Sequence, residues 1–217
     1  MSRNGHLAPA RVSPAATPRR RKRNRVGKQR ALINAALKLF AARGYDATTT
    51  REIAACAGCA EGLIHRYFNG KSGLLLALMS AHASQEVKDL STSLPTGSTL
   101  EAEIQQIVNW EVDRMWKDRD MFRVTIPHAI LDPKVGQFVR KVGPQRHAKA
   151  IAERLRRHRD AERVSNRQIE AISNAIGAMG FIFGFMRPAV LGQDRKQAAA
   201  YASEIAGILS RGLVAES

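Results

Sequence analysis

The stretch Thr48–Lys71, TTTREIAACAGCAEGLIHRYFNGK, predicts two short helices joined by a tight turn. Thr49 and Glu52 have the spacing of a capping box, which places a helix start at the residue after Thr49. Gly58 supplies a residue that tolerates positive φ and ends this helix. A second helix then covers about residues 61–68. Two helices around a glycine turn form a helix-turn-helix, in which the second helix enters the major groove of DNA.

Positive charge is concentrated in and before this stretch. Residues 1–71 hold fifteen Lys and Arg against three acids, whereas residues 72–217 hold twenty against sixteen. The formal net charge of the 217-residue chain is +16, and no acid precedes Asp46. A basic excess beside a helix-turn-helix predicts double-stranded DNA as the partner. The alternative is a basic surface that serves only solubility.

Residues 1–27 contain three prolines and an arginine-rich run without apolar periodicity, which predicts a disordered arm. The arm either enters the adjacent minor groove or contacts phosphates without sequence preference. No apolar stretch follows the charges as in a secretory signal, and the chain has two cysteines, so we expect a cytoplasmic, nucleoid-associated protein. The arm residues predicted to contact DNA are Arg19, Arg20, Arg21, Arg23 and Arg25.

The order of residues from Gln29 to Met79 resembles the DNA-binding domain of TetR-family transcriptional regulators. Three positions depart from the family pattern: Cys59 stands where valine is usual, Ala60 where a capping serine is usual, and His65 where tyrosine is usual. Loss of the serine cap typically costs ~1 kcal/mol. The residues that match the family pattern are Gly44, Tyr45, Thr48, Thr49, Ile53, Ala54, Ala57, Gly58, Gly62, Ile64, Tyr67, Phe68, Lys71 and Leu74.

The remaining chain shows helical apolar spacing and no alternation of period two, which predicts an all-α fold of about nine helices. We expect a three-helix DNA-binding domain over residues 28–74. The resemblance implies a helical ligand-binding and dimerisation domain over residues 75–217. The predicted helices outside the quoted stretch are Lys28–Arg43, Lys71–Ser91, Thr99–Asp118, Met121–Leu131 with a kink at Pro127, Pro133 to about Glu162 bent or split at Gly143–Pro144, Asn166–Leu191 and Arg195–Leu213.

DNA contacts divide into two predicted sets. The first set occupies positions that contact the DNA backbone in the related regulators, and hydroxyls and cations suit phosphate oxygens: Thr48, Thr49, Arg51, Tyr67 and Lys71. The second set projects from the second helix and is expected to read bases, with Arg66 suited to guanine and Leu63 to a thymine methyl. Its members are Ala60, Glu61, Leu63, His65 and Arg66. Glu61 either accepts a hydrogen bond from cytosine or places a negative charge at the helix N-terminus.

By the same resemblance, the middle helices enclose a cavity for a small-molecule effector. A few polar groups in an apolar cavity are typical of such sites. The alternative is that aromatic and Met positions at helical spacing belong to the core. The predicted lining residues are Trp110, Glu111, Arg114, Met115, Phe122, Ile126, His128, Phe138 and Phe181.

Residues 175–186, AIGAMGFIFGFM, are apolar around the whole helix and must be buried on more than one side. Two such hairpins in a homodimer would form a four-helix bundle, as the resemblance implies. The alternatives are a core helix of a monomer and a membrane span, for which twelve apolar residues are too few. The predicted dimer contacts are Ile176, Gly180, Phe183, Gly184, Ile205, Ile208 and Leu209.

Other chemistries find little support. Cys56 and Cys59 form a C-x-x-C pair, but zinc would need two further ligands and a redox site would need a preceding strand. We predict no metal, no cofactor and no enzymatic activity, because phosphate-loop and nucleophile motifs are absent from the sequence. The predicted function is a repressor that a small-molecule effector releases from a pseudo-palindromic operator. The alternatives are a ligand-independent architectural DNA-binding protein and a thiol-redox sensor through the two cysteines.

Overall fold

The computed structural model describes the backbone of residues 18–215 and the side chains of residues 23–212. Helix α1 spans Pro18–Arg43, so the prediction of a disordered arm is wrong from residue 18 onward. Residues 1–17 of the predicted arm lie outside the described range. Proline suits the first helical position, and Arg and Lys have high helix propensity. Apolar spacing did not reveal this part of the helix, because residues 18–25 contain no apolar residue.

The two short helices form where the sequence predicts them. Helix α2 spans Thr50–Cys56, and helix α3 spans Gly62–Phe68. Thr49 caps α2: the Glu52 backbone N–H donates to its hydroxyl at 3.2 Å, and its own N–H donates to Glu52 Oε2 at 2.9 Å. Gly58 has φ +61° in the turn, and Asn69 ends α3 with φ 60°.

The rest of the described chain is helical and contains no strand, which confirms the all-α prediction. The predicted helix from Pro133 is split at Gly143–Pro144, because proline provides no backbone N–H to continue the hydrogen-bond ladder. The further elements are α4 (Lys71–Thr92), α5 (Leu100–Lys117), α6 (Arg119–Leu131), α7 (Pro133–Val142), α8 (Pro144–Arg156), a 3₁₀ turn (Arg159–Arg163), α9 (Asn166–Phe181), a π-helical continuation of α9 (Ile182–Val190) and α10 (Arg195–Ala215).

Two hydrophobic clusters hold the fold together. The N-terminal core combines α1–α4 with Val124 of α6 and Val135 of α7. The C-terminal core combines the end of α4 with α5, α8, α9 and α10. Helix α4 joins them, with Leu74 and Leu75 in the first cluster and Leu90 in the second. Its 22 residues give a length of about 33 Å.

Arg154 of α8 fastens the loop between α4 and α5. Its Nε donates to Glu103 Oε1 at 2.5 Å, its Nη1 donates to the Leu90 carbonyl at 2.7 Å, and its Nη2 donates to the Pro95 carbonyl at 2.8 Å. Glu103 is 1 % exposed, and its second oxygen accepts the Gly97 backbone N–H at 2.6 Å. One guanidinium therefore neutralises a buried carboxylate and binds loop carbonyls at the same time.

The helix Asn166–Val190 is long and apolar enough to cross a bilayer by length and composition alone, with 25 residues and a mean hydropathy of 1.5 in its most apolar window. Half of that window is buried inside the protein. Core helices of this kind pass the same compositional test, and Ile172 and Ile176 belong to the C-terminal core.

Candidate nucleic-acid interface and effector region

Helix α3 is anchored by its inner face, which leaves its outer face accessible. Ile64 is fully buried in the N-terminal core, and Leu63 packs half-buried against the same core. On the outer side Ala60, His65 and Arg66 are exposed. The accessible part of the predicted base-reading set therefore excludes Leu63, whose side chain is largely used in packing.

Glu61 connects the two helices of the motif. It is exposed at the N-cap of α3, and its Oε1 accepts the Thr50 hydroxyl at 2.6 Å. A carboxylate at a helix N-terminus is also favoured by the helix dipole. In the free protein, Glu61 thus fixes α3 against α2.

The hydroxyls and cations at the start of α2 have different environments. Thr48 is 1 % exposed, and its hydroxyl donates to the Gly44 carbonyl at 2.8 Å, so it is not positioned for a phosphate. Thr49 caps the helix, and Arg51 is exposed. The Thr49 backbone N–H and hydroxyl hold the pKa of the Glu52 carboxyl below its usual value, and Arg43 contributes in the same direction.

Lys71 is used inside the domain, which contradicts its predicted role as a free phosphate contact. Its ammonium donates to the carbonyls of Tyr45 at 2.9 Å and Thr48 at 3.0 Å. It also lies 4.3 Å from the centre of the Tyr45 ring. The family motif does not reveal this role, because it gives the residue type and not the direction of the side chain. Lys71 anchors the loop that leads into α2.

The outer cations of the domain frame this face. Arg23, Arg25, Arg51 and Arg66 are exposed. The Arg25 guanidinium lies 5.4 Å from the centre of the half-buried Tyr67 ring, which places the N-terminal part of α1 beside α3. The side chains of Arg19, Arg20 and Arg21 lie outside the described range. Exposed cations around a free helix face are the groups that neutralise phosphates when DNA binds.

The helices predicted to enclose an effector contain a buried polar cluster formed by Glu86 of α4, Glu111 and Arg114 of α5, and His147 of α8. Arg114 Nη2 lies 2.7 Å from both Glu86 Oε1 and Glu111 Oε2. His147 Nε2 lies 2.6 Å from Glu111 Oε1, and His147 Nδ1 lies 3.1 Å from Glu86 Oε1. Sequence reasoning identified Glu111 and Arg114 but missed Glu86 and His147, because no local pattern shows that three separate helices meet here.

The polar cluster perturbs the ionisation of its members. Burial opposes ionisation of Glu111, yet the hydrogen bond from His147 and the charges of Arg114 and His147 outweigh it and hold the pKa of Glu111 below its usual value. Burial likewise opposes the charge of Arg114, but Glu111 and Glu86 raise its pKa. The neighbouring cations therefore favour the charged form of the Glu111 carboxyl although the side chain is fully buried.

A cavity of about 430 Å³ opens beside this cluster, between α4 and α5. Trp110 and Arg114, two of the residues predicted to bind an effector, line it together with His82, Gln85, Glu86, Asp89, Ser93, Lys117 and Asp118. Its walls are more polar than the predicted apolar pocket. The cavity places two cationic side chains, three carboxylates and one indole ring within reach of a single small molecule.

The other predicted lining residues lie elsewhere. Met115 is buried, and Ile126 is half-buried without lining this cavity. Phe122 packs with its ring centre 6.5 Å from that of Phe181 and 5.5 Å from that of Phe185. These aromatic rings therefore pack together between α6 and the helix of residues 166–190.

His128 and Phe138 pack near the DNA-binding domain instead of lining the cavity. The His128 ring is 4.4 Å from the Tyr45 ring, edge to face, and Phe138 packs against the N-terminal core. Burial and the charges of Asp46 and Asp132 raise the pKa of Tyr45. His128 thus connects α6 to the loop that Lys71 anchors.

The predicted dimer contacts separate into two groups. Ile176, Gly180, Phe183 and Gly184 are buried inside the chain, so their assignment to a partner surface is wrong. A Cβ added to Gly180 would lie 2.9 Å from Glu111 Cβ, and one added to Gly184 would lie 2.8 Å from Met115 Cβ. These two glycines allow close approach of α5 of the same chain.

The exposed apolar groups of this region lie on another face. Ile208 is 57 % exposed and Leu209 37 %, while Ile205 is half-buried. Ile182 and Tyr201 are also exposed. Ile208 follows Tyr201 by seven residues, which places both on one side of α10. Neither Ile182 nor Tyr201 was predicted to contact a partner.

The two thiols are separate from these features. Both cysteines are free; Cys56 is exposed at the end of α2, and Cys59 is half-buried against the N-terminal core.

Comparison with known proteins matches this architecture. Residues 32–78 match the family model described as bacterial regulatory proteins, tetR family. The chain is 47 % identical over 53 residues to the HTH-type transcriptional regulator YvkB of Bacillus subtilis, covering 24 % of this chain and 28 % of YvkB. It is 33 % identical over 81 residues to the HTH-type transcriptional regulator BetI of Brucella suis, covering 37 % and 41 %. The matches thus span less than half the length of these relatives.

Solved structures show the same fold over most of the chain. A TetR transcription regulator from Haloarcula marismortui has a TM-score of 0.70 at 14 % identity, covering 87 % of this chain and 98 % of that chain. A regulatory protein of the tetR family from Rhodococcus RHA1 has a TM-score of 0.62 at 22 % identity, covering 84 % and 96 %. The family-model match covers residues 32–78, whereas the fold match covers 84–87 % of the chain.

Proposed function

We propose that this chain, which belongs to the TetR family of DNA-binding transcriptional regulators, is a homodimeric repressor that a small-molecule effector releases from a pseudo-palindromic operator. The main support is the outer face of α3, where His65 and Arg66 are exposed while Ile64 anchors the helix. Such a protein acts on chromosomal DNA in the cytoplasm. Its N-terminal cations supply the electrostatic part of binding, and the α3 side chains supply the choice of sequence.

The experiment that tests operator binding is selection of bound fragments from sheared genomic DNA at physiological salt, followed by footprinting. We expect one or a few inverted-repeat sites. Replacing Arg66 with alanine should weaken binding to such a site by about 10- to 100-fold, because a good base contact contributes about 1–3 kcal/mol. Arg163→Ala, an exposed arginine of the 3₁₀ turn, is the matched control and should bind as the wild type does.

The opposite result would identify a different function. Recovery of fragments without a shared site, with binding lost steeply as salt rises, would favour an architectural DNA-binding protein. Arg66→Ala and Arg163→Ala would then reduce binding to a similar small extent.

Dimerisation is proposed through the exposed face that carries Ile182, Tyr201 and Ile208. A single short recognition helix makes few base contacts. A symmetric dimer that binds two DNA half-sites doubles these contacts and increases specificity. Exposed apolar side chains on two neighbouring helices are groups that a partner would cover.

Ile208→Asp should convert the dimer to monomer. A charge at this face would be buried without a partner, so we expect the dissociation constant of the dimer to rise by at least about 10-fold. Sedimentation equilibrium measures the change. Ile130→Asp is the control, because Ile130 is 77 % exposed at the end of α6, far from this face in sequence. Equal effects of both substitutions, or a dimer that persists in Ile208→Asp, would contradict the proposed interface.

Effector control is proposed to act through α4. The cavity of about 430 Å³ lies along this helix, and the opposite end of the same helix belongs to the N-terminal core. An effector that favours one position of α4 would change the distance between the two α3 helices of a dimer. The coupling equals its difference in affinity for the two states, typically ~1–3 kcal/mol.

A further inference from the structure

We propose that the solvent faces of α7 and α8 bind the phosphate backbone of the DNA that flanks the site held by α3. We call them the α7–α8 cationic surface, which consists of five exposed side chains: Lys134, Arg140, Lys141, Arg146 and Lys149. The inference rests on the proposed function in taking an operator as the bound site. It adds a contact surface that lies outside the helix-turn-helix.

Positive charge is concentrated a second time in this part of the chain. Residues 133–157, which include both helices, hold eight Lys and Arg against one acid, Glu153. The other residues of 72–217 hold twelve Lys and Arg against fifteen acids, so their net charge is negative. Cations that accumulate on one part of a surface are the electrostatic signature of a polyanion partner.

The five cations have no acidic partner within the described part of the chain. Of the Lys and Arg side chains in α7 and α8, only Arg154 and Arg156 form ion pairs with described carboxylates. Exposed cations elsewhere do pair, as Arg195 does with Asp113 at 2.6 Å. The charges of the α7–α8 cationic surface are therefore available to an outside partner.

Helix stability does not account for these cations. Lys134 lies in the first turn of α7 and Arg146 in the first turn of α8, where the helix dipole disfavours positive charge. Neither of these two first turns contains an acid. Arg146 and Lys149 are one turn apart, and like charges on neighbouring positions of a helix are slightly destabilising. A bound polyanion would remove both penalties.

The exposed groups of α7 and α8 favour nucleic acid over a lipid surface. Neither helix exposes a large apolar side chain. A helix that lies in a membrane interface buries apolar and aromatic side chains among the lipids, with cations on its other face. Here the apolar faces are already used inside the protein, by Val135 in α7 and by Ile151 and Leu155 in α8.

The α7–α8 cationic surface begins beside the DNA-binding domain. Val135, Phe138 and Val139 of α7 pack in or against the N-terminal core. Five residues before α7, the His128 ring lies 4.4 Å from the ring of Tyr45, in the loop that leads to α2. From there α7 and α8 extend for about 15 Å and about 20 Å. A duplex that leaves α3 would bend toward the protein to reach these cations, and the phosphate contacts would offset the cost of bending.

The test measures binding of the full-length protein to two duplexes by fluorescence anisotropy over a range of salt concentrations. One duplex is the footprinted inverted repeat alone, and the other extends it on each side by about 15 bp, or about 50 Å. We expect the longer duplex to bind more tightly. Each phosphate neutralised adds about 0.9 to the slope of log K against log salt concentration, so a dimer that uses half to all of these cations should add about 4 to 9.

The variant that removes the contact combines Arg140→Gln, Lys141→Gln and Arg146→Gln. It should lose most of the added slope. Its affinity for the longer duplex should fall by at least about 10-fold at about 0.1 M salt, since six phosphate contacts of a dimer are lost. Circular dichroism checks that its helicity is that of the wild type.

The matched control combines Lys88→Gln, Arg163→Gln and Lys196→Gln. These three cations are exposed and lie outside the α7–α8 cationic surface, so the control loses the same charge. It should keep the slope that the flanking DNA adds. Equal losses in the two triple variants would overturn the proposal, because net charge alone would then explain the effect.

Two further results would also overturn it. Equal salt slopes of the wild type on the two duplexes would mean that the flanking DNA is not bound. Loss of binding to phosphatidylglycerol vesicles in the α7–α8 variant alone, with its DNA binding unchanged, would assign the surface to a membrane.

Random-sequence duplexes of the same two lengths keep this inference separate from the proposed function. Equal binding of operator and random duplexes would contradict a sequence-specific repressor. A gain with length that only the α7–α8 variant loses would support the cationic surface in either case.

Discussion

Gly184→Ala should lower the free energy of unfolding by about 3 kcal/mol, the upper part of the usual range for overpacking a core. The added methyl group would lie 2.8 Å from Met115 Cβ, 2.9 Å from Val112 Cα and still closer to the Val112 carbonyl oxygen. Because two of these atoms belong to the backbone of α5, the clash cannot be relieved by rotating a side chain. The helix of residues 182–190 would have to move away from α5.

Urea denaturation followed by tryptophan fluorescence measures this loss, because Trp110 and Trp116, the two tryptophans of the chain, both lie on α5. Gly177→Ala is the control in the same continuous helix, where an added Cβ meets no other atom within 4 Å. It should be neutral or stabilising by up to about 1 kcal/mol, since alanine has the higher helix propensity. If Gly184 faced a partner instead, its substitution would change the dimer dissociation constant and leave the unfolding of a monomeric Ile208→Asp variant unaltered.

Arg154→Met should lower the free energy of unfolding by about 3–5 kcal/mol, the range for removing one partner of a buried ion pair. The substitution leaves Glu103 buried with an uncompensated charge and leaves the Leu90 and Pro95 carbonyls without their donor. Methionine keeps much of the side-chain volume, so the loss reports on charge and hydrogen bonding. The same fluorescence-detected urea denaturation measures it.

Arg156→Met is the control, two residues further along α8. Its pair with Glu170 is exposed, at 3.1 Å, and exposed pairs contribute about 0–1 kcal/mol. A double variant, Arg154→Met with Glu103→Gln, should recover part of the loss because it removes the buried charge. Equal losses in Arg154→Met and Arg156→Met would mean that the loop between α4 and α5 does not depend on this guanidinium.

The helix-turn-helix could be predicted because its determinants are local. The capping box at Thr49 and Glu52, the positive φ of Gly58 and the buried Ile64 each depend on neighbours in the sequence. The start of α1 could not be predicted from apolar spacing, because the run of Arg and Lys there contains no apolar residue.

The orientation of long side chains was harder to predict. Thr48 and Lys71 match positions that contact DNA in related regulators, yet Thr48 donates to the carbonyl of Gly44, just after α1, and Lys71 to carbonyls of the loop before α2. A lysine side chain is long enough to reach either inward or outward, and the sequence does not reveal which carbonyl groups lie near it.

For the glycines of the helix of residues 166–190, the sequence likewise predicted burial but not the neighbouring helix. An all-apolar helix must be buried on several sides, and this much was correct. Periodicity cannot tell which side meets α5 of the same chain and which side is left for a partner. The polar cluster was also invisible from spacing, because Glu86 and His147 are distant in sequence and meet only after α4, α5 and α8 have packed.

The composition of the N-terminal core limits the modularity of this protein. Exchanging the DNA-binding module of one regulator for that of another, as in the construction of biosensors, presumes that the chain can be cut after residue 74. Here such a cut would pass through one hydrophobic cluster, since Leu78 of α4, Val124 of α6 and Val135 of α7 pack with α1–α3. A transplant that retained only residues 18–74 would expose this apolar surface in both halves. A working chimaera would have to transfer α6 and α7 together with the DNA-binding domain. Otherwise the surface that contacts α6 and α7 would have to be redesigned to fit the recipient regulator.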